Sequence, residues 1–145
     1  MMELMKKLLR ENHLCVLATC ANDVPHCSLM TYATNAAADR VYLMTRRDSR
    51  KFANLTINPQ VSLLVDTRGA ANAVHAEDIK ALTVAGEVTL VVDKAERQTV
   101  LEMLVTNHPQ LRDLAEHPDT ELVAVKVKSF LLLDGIQNAS YEALS

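Results

Sequence analysis

Apolar and polar residues along this chain follow two periods, one typical of strands and one typical of helices. Successive side chains of a strand point to opposite faces, so alternating or clustered apolar residues indicate strands. Six segments of this kind predict β-strands: 13–20, 25–34, 40–45, 60–66, 80–92 and 121–133. Apolar residues three and four positions apart predict helices: 3–11, 48–57, the stretch between Asp93 and His108, and a short turn at 111–116.

Capping residues set the ends of the predicted helices. Asp48 is the expected N-cap of the second helix. The Asn-Pro pair at 58–59 ends that helix, because the residue before a proline avoids the α region. Asp93 followed by Glu96 has the spacing of a capping box, so the next helix is expected to begin there.

The fifth predicted strand is long, and a glycine interrupts it. Its even-numbered positions share one face, which we expect to be buried: Leu82, Val84, Gly86, Val88, Leu90 and Val92. Glycine in a strand marks a bend or bulge, so one is predicted at Gly86. The connection at 67–78 is expected to be a long loop, and such loops are often functional. Residues 139–145 are expected to form a short tail.

The connections between the predicted strands decide the fold class. Parallel strands need crossovers of a dozen or more residues, and most of the connections here are shorter. The sequence therefore predicts a mainly β fold, an antiparallel barrel with peripheral helices. No repeat or linker divides the chain, so residues 1–145 are expected to form a single domain.

Composition narrows the functional classes. The net charge of −3 argues against nucleic-acid binding through bulk electrostatics, and aromatic residues, at 3%, are too few for base-stacking platforms. The apolar runs fall short of the roughly 20 residues that a membrane helix needs. Residues 1–12 lack the pattern of a signal peptide. We therefore expect a cytoplasmic protein with no membrane or nucleic-acid partner.

Cysteine and histidine residues show no metal-site spacing. The three cysteines, Cys15, Cys20 and Cys27, lie in predicted strands and are expected to be reduced and buried. The five histidines lack His-x-x-His or Cys–His spacing, so no metal site is predicted.

The most informative chemical feature is the segment 45–51, Thr-Arg-Arg-Asp-Ser-Arg-Lys. It joins a predicted strand to a predicted helix start, where backbone N–H groups and the helix dipole favour an anion. Ser49 adds a hydroxyl, Arg50 a planar fork suited to phosphate, and Lys51 a point charge. The hypothesis is a phosphate site. The alternative is a solvated helix start, which the nearby carboxylate of Asp48 favours.

The residues around this segment resemble a known family. The runs Tyr-Leu-Met-Thr at 42–45, Ser-Arg-Lys at 49–51 and Asn-Pro-Gln-Val-Ser-Leu-Leu-Val at 58–65 occur in this order. They resemble the FMN-binding split-barrel family related to pyridoxamine 5′-phosphate oxidase, and the resemblance extends over most of the chain. It implies a six-stranded antiparallel split β-barrel with peripheral helices, forming a homodimer with FMN at the subunit interface.

The resemblance also implies which residues contact FMN. Arg50 and Lys51 would hold the phosphate with Ser49 nearby, and Met44 and Thr45 would line the end of the preceding strand. The second strand would run along the isoalloxazine ring, with these candidate contacts: Ser28, Leu29, Met30 and Tyr32.

Two departures from the full oxidases alter the expected activity. Those enzymes carry an arginine and a lysine five positions apart on the second strand, where this chain has Ser28 and Ala33. We expect Arg46 or Arg47 to compensate. The C-terminal region that the full oxidases use to bind the pyridoxal ring has no counterpart here. Pyridoxamine phosphate oxidation is therefore not expected. We expect instead a small flavin protein, such as a flavin or nitro-group reductase.

Two functions follow from the resemblance. The first is an FMN-dependent oxidoreductase acting on a small molecule or a flavin. The second is a carrier or sensor that holds FMN or haem without turnover, with His75 as a candidate haem ligand. Tyr32 either faces the flavin ring or lies in the core. Arg68 either reaches a substrate or the flavin of the other subunit, or is merely exposed. No catalytic residue is identified.

Overall fold

The described chain is rich in strands, with short helices at the periphery. A computed structural model describes residues 1–70 and 73–145. Its strands are β1 (Leu14–Ala21), β2 (Val24–Thr31), β3 (Ala33–Thr34), β4 (Arg40–Arg46), β5 (Gln60–Asp66), β6 (Lys80–Leu90), β7 (Thr120–Asp134) and β8 (Asn138–Ala143). Its α-helices are α1 (Met2–Glu11), α2 (Arg50–Ile57), α3 (Lys94–Asn107) and α4 (Arg112–Glu116). Two 3₁₀ turns lie at Ala76–Asp78 and Pro109–Leu111.

All of these strands form one antiparallel sheet. The order is β2-β1-β5-β6-β7-β4-β3, and β8 pairs with β7. Only Tyr32 separates β2 from β3, so the two ends of this order are joined by continuous chain. The sheet therefore curls on itself, and the prediction of a mainly β, antiparallel split barrel with peripheral helices is confirmed.

The number of strands differs from the six that were predicted. The described residues form eight strands. One addition arises because the second predicted strand breaks at Tyr32, where the chain leaves β1 to pair with β4. The other is β8, which occupies the region expected to be a short tail and pairs with β7 from Asp134 to Ser129. In the connection at 67–78, residues 71 and 72 lie outside the described residues.

Mostly aliphatic side chains fill the inside of the curled sheet, and the helices pack against it. Met5 and Leu9 of α1 are fully buried against the main cluster. Phe52 of α2 packs into the same cluster. A second cluster lies where α3 packs on β4 and β7, and Leu104 is fully buried there. None of the described helices has the length and hydropathy that a membrane span requires.

The long strand β6 bends where the glycine predicts it. The pairing of β6 with β7 shifts register between Ala85 and Gly86. A Cβ at Gly86 would collide with the Val125 side chain and lie 2.7 Å from the backbone oxygen of Lys126, so only glycine fits. The prediction of a bend or bulge is confirmed.

The end of the same strand departs from the expected pattern. Leu90 and Val92 were expected on the buried face, but they are 44% and 76% exposed. The strand ends at Leu90 and the chain turns toward α3, so Val91 takes the buried position in the second cluster instead.

The cysteines differ in burial, because they lie on different faces of their strands. Cys15 points into the core and is 2% exposed, and burial raises the pKa of its thiol to about 12. Cys20 is half-buried. Cys27 is exposed, contrary to expectation, because it lies on the outer face of the edge strand β2.

Candidate functional site

Hydroxyl contacts join the end of β4 to the start of α2. Thr45 is 3% exposed, and its Oγ1 lies 3.1 Å from the Oγ of Ser49. The Ser49 hydroxyl donates to the backbone oxygen of Arg46 at 2.8 Å and accepts from the N–H of Phe52 at 3.2 Å. Ser49 is therefore the N-cap of α2. The prediction of Asp48 was wrong, because that carboxylate turns back to the Arg46 guanidinium.

Arg47 forms ion pairs with two carboxylates, those of Asp119 and Glu121. Its Nη2 donates to Oε1 of Glu121 at 2.8 Å, and its Nη1 lies 3.6 Å from Oδ1 of Asp119. The hydrogen bond and charge of Glu121 raise the pKa of Arg47 further. Arg47 is therefore not free to take the place of the missing basic residues on β2.

Arg46 has a buried donor without an acceptor in the described chain. Its Nη2 lies 3.2 Å from Oδ2 of Asp48, but its buried Nε has no hydrogen-bond partner among the described residues. A buried donor without an acceptor costs about 1–3 kcal/mol, so an anion that accepts from this N–H relieves the cost. This unpaired donor fits a phosphate group at the β4–α2 junction.

The first turn of α2 adds more positive charge. The first N–H groups of a helix have no intrahelical acceptor, which leaves the amides of Arg50 and Lys51 open. The Arg50 side chain is exposed and that of Lys51 is half-buried. Neither makes an ion pair within the described residues. The structure thus brings five of the predicted site residues together: Thr45, Arg46, Ser49, Arg50 and Lys51.

The other predicted contacts on β2 lie along the edge of the sheet. Among the described strands β2 pairs with β1 alone, so its second row of backbone groups is open to a ligand. Ser28 is half-buried, Leu29 is 72% exposed on the outer face, and Met30 points inward and is 7% exposed. The strand therefore offers backbone groups and the Leu29 side chain to a ligand.

Two predicted site residues lie in packed clusters. Tyr32 is 1% exposed, and its hydroxyl donates to the backbone oxygen of Leu9 at 2.7 Å. Burial raises the pKa of Tyr32, with the nearby Cys15 as a smaller cause. The structure thus favours the core alternative for Tyr32. Met44 is 4% exposed in the cluster under α3, so its side chain supports the strand end from beneath.

A cavity of about 500 Å³ lies at the end of β1 farthest from the phosphate segment. Leu14, Leu29 and Leu64 give it an apolar wall, and Arg68 lies at its rim. Arg68 Nε lies 3.1 Å from Oδ1 of Asp66, and its side chain is 68% exposed. Arg68 is thus exposed and paired, and it borders a cavity.

A smaller cavity of about 250 Å³ lies beside α2, and its residues were not singled out from the sequence. Its lining includes His26 of β2 together with Arg50 and Asn54 of α2. The hairpin register places His26 opposite Thr19, and Asn54 Nδ2 donates to Thr19 Oγ1 at 3.0 Å. The sequence predicted the β1–β2 hairpin, but no motif marks the register that places His26 opposite Thr19.

Histidines elsewhere form no metal cluster. Within residues 1–70 and 73–145, no group of three or more His, Cys, Asp or Glu side chains has the geometry to hold a metal ion. His75 is exposed, and its backbone N–H donates to the Asp78 carboxylate at 3.1 Å.

Sequence comparison finds a family model that covers most of the chain. A family model described as "Pyridoxamine 5'-phosphate oxidase" matches residues 1–134. A curated protein of Schizosaccharomyces pombe, described as a pyridoxamine 5'-phosphate oxidase homolog, is 43% identical over 68 residues. That match covers 41% of this chain and 36% of the yeast protein, so it spans well under half the length of that relative.

Solved structures share the fold. A protein of Mesorhizobium loti described as FAD-binding has a TM-score of 0.73 at 17% identity, covering 90% of this chain and 91% of that one. A heme binding protein of Mycobacterium smegmatis has a TM-score of 0.81 at 14% identity, covering 96% of this chain and 57% of that one. At these identities the likeness shows the fold alone.

Proposed function

The chain belongs to the pyridoxamine 5′-phosphate oxidase family, and we propose that it binds FMN and acts as an FMN-dependent oxidoreductase on a small molecule or a flavin. The unpaired Nε of Arg46 beside the open start of α2 carries the cofactor assignment. The contact between Thr45 and Ser49 joins the strand end to the helix start, beside which the phosphate would bind.

Positive charge at the site exceeds the negative charge that neutralises it. Asp48 pairs with Arg46, whereas Arg50 and Lys51 make no ion pair within the described residues. A phosphate of FMN would supply the missing negative charge and accept hydrogen bonds from the open amides. This charge balance supports a phosphate over a neutral ligand.

FMN, when bound, supplies hydride or electron transfer at its ring. The residues of this chain would bind the phosphate at α2 and offer the open backbone edge of β2 to the polar rim of the ring. Leu29, 72% exposed on that strand, would give the ring an apolar neighbour. No side chain of the described site needs to act as an acid or base for this role.

A homodimer with FMN at the interface is part of the proposal. One transverse row of outward-facing residues crosses six strands through consecutive register pairs: Leu29, Val16, Leu64, Thr83, Leu131 and Tyr141. The row carries no charge, and its end members Leu29 and Tyr141 are 72% and 64% exposed. An exposed apolar face of this extent is typical of a protein interface. We call these six residues the outer row.

The proposed location is the cytoplasm. The free thiols Cys15, Cys20 and Cys27 support it, because exposed thiols such as Cys27 persist in a reducing compartment.

The absorption spectrum of the purified protein tests the cofactor. The proposal predicts a yellow protein whose flavin bands are released on denaturation, and in which the released flavin is FMN. A Soret band instead of flavin bands would favour the haem carrier that the sequence left as the alternative. A colourless protein that added FMN does not stabilise against heat would overturn the assignment.

Stopped-flow reduction of the FMN-loaded protein separates an enzyme from a carrier. An oxidoreductase is expected to be reduced by a nicotinamide cofactor and reoxidised by a small acceptor, such as a quinone, a nitroaromatic compound or free flavin. Bound FMN that no donor reduces would support a carrier or sensor.

A further inference from the structure

The β2 side of the proposed phosphate site lacks the cations that the family resemblance leads one to expect. Ser28 and Ala33 occupy the positions of the oxidases' arginine and lysine, and Ala33 is 6% exposed. Arg47 is held by Glu121 and Asp119. Another basic residue that faces α2 from β2 would supply positive charge on this side of the site.

His26 is the basic residue that β2 directs toward α2. It lies two positions before Ser28, so the two side chains share one face of the strand. It is half-buried and lines the cavity of about 250 Å³ that Arg50 and Asn54 border from α2. The hydrogen bond of 3.0 Å from Asn54 to Thr19 fixes α2 against the strand pair that carries His26.

The charge of this cavity suits an anion. Seven described residues line it, and they include the cation Arg50, the basic His26 and no carboxylate: Ala21, Asn22, Val24, His26, Arg50, Asn54 and Ile57. The larger cavity, by contrast, includes Glu11 and Asp66 beside Arg68. The lining of the smaller cavity therefore favours negative charge.

We propose that His26 contacts the phosphate monoester of the flavin from the β2 side of this cavity, at the end where the cavity meets Arg50 and the start of α2. This inference rests on the proposed FMN function and adds to it a residue that replaces the missing basic positions on β2. Because His26 would contact only the phosphate, it would set the preference for a phosphorylated flavin over an unphosphorylated one.

The test compares FMN with riboflavin, which lacks the phosphate. Both are titrated into apoprotein, and flavin fluorescence gives the Kd for wild type and for His26→Gln. A lost charge-assisted hydrogen bond is expected to raise the Kd for FMN about tenfold. The Kd for riboflavin is expected to stay unchanged, so the preference for FMN falls by the same factor. His26→Arg is expected to restore the affinity for FMN.

Matched measurements keep the outcomes distinct. His75→Gln, at an exposed histidine away from the cavity, is expected to leave both Kd values unchanged. The melting temperature of each apoprotein shows whether the variant folds. Wild-type affinity for FMN in His26→Gln, or an equal loss of FMN and riboflavin, would overturn the role of His26 while leaving FMN binding intact. Failure of the wild type to bind FMN would overturn the proposed function itself.

Discussion

Thr45 Oγ1 lies 3.1 Å from Ser49 Oγ, so a buried strand end and the N-cap of α2 share a hydrogen bond. This contact fixes how the chain turns from β4 into α2. Because the N-cap is Ser49, a neutral hydroxyl and not a carboxylate satisfies the first turn of the helix. The open amides and cations there are left for an anion.

Replacing the N-cap separates stability from cofactor affinity. Ser49→Ala is expected to lower the free energy of unfolding by about 1 kcal/mol, because the N–H of Phe52 loses its acceptor. Ser49→Asp keeps a good N-cap, so its unfolding free energy is expected to stay near that of wild type. Its carboxylate would repel the phosphate and weaken FMN binding about tenfold or more.

Urea unfolding of the apoproteins and FMN titrations measure the two effects. If Ser49→Asp bound FMN as tightly as wild type, the phosphate would have to lie away from the start of α2.

The cations of α2 are expected to supply much of the phosphate affinity. The double change Arg50→Ala with Lys51→Ala removes two charge-assisted contacts of about 1.5–3 kcal/mol each, so the Kd for FMN is expected to rise at least about a hundredfold. Arg47→Ala is the matched control in the same segment, because Arg47 is held by Glu121. It is expected to change the Kd by less than about threefold. A larger loss in Arg47→Ala than in the double variant would relocate the phosphate.

The outer row predicts the oligomeric state. Leu64 and Leu131 are 36% and 43% exposed and lie two strands apart in that row. Wild type is expected to sediment as a dimer, and Leu64→Arg with Leu131→Arg as a folded monomer, because charges would be buried in the interface. Val92→Arg, at a residue 76% exposed outside the row, is expected to stay a dimer. A monomeric wild type would contradict the proposed dimer.

Burial of Cys15 predicts how stability changes in alkaline solution. Its pKa rises from 9.0 to about 12 on folding, so above pH 9 the unfolded chain loses a proton that the folded chain keeps. The free energy of unfolding is therefore expected to fall between pH 9 and pH 12, by up to about 1.4 kcal/mol per pH unit from this group. The raised pKa of Tyr32 acts in the same direction.

Urea unfolding between pH 8 and pH 10.5 checks the slope. Cys15→Ala is expected to show a shallower loss of stability than wild type, whereas Cys27→Ala, at an exposed thiol, is expected to match the wild-type slope. Equal slopes for Cys15→Ala and wild type would show that this thiol does not titrate as its burial requires.

Local patterns in the sequence were enough for the six predicted strand segments, the antiparallel class and the position of the β6 bulge. The run from Gln60 to Asp66 predicted its strand to the residue, because its alternation is regular and a proline precedes it. The break at Tyr32 was beyond such patterns, because it follows from the change of partner from β1 to β4. β8 was missed for a related reason, since only pairing with β7 makes that stretch a strand.

For the candidate site, too, the sequence predicted local features but not contacts between distant parts of the chain. The cations and hydroxyls of 45–51 are adjacent in sequence, so their meeting at one helix start was predictable. The sequence could not show which of these cations are free to bind an anion. Arg47 pairs with Glu121 and Asp119, which lie more than 70 residues away along the chain. His26 depends likewise on hairpin register and on where α2 packs.

Titration calorimetry of FMN into the apoprotein tests the central claim most directly. The account predicts saturable binding of one FMN per chain with a Kd of about 1 μM or tighter, and binding of riboflavin at least about tenfold weaker because it lacks the phosphate. Absence of binding at about 100 μM FMN, or equal affinity for FMN and riboflavin, would contradict a phosphate site between β4, β2 and α2.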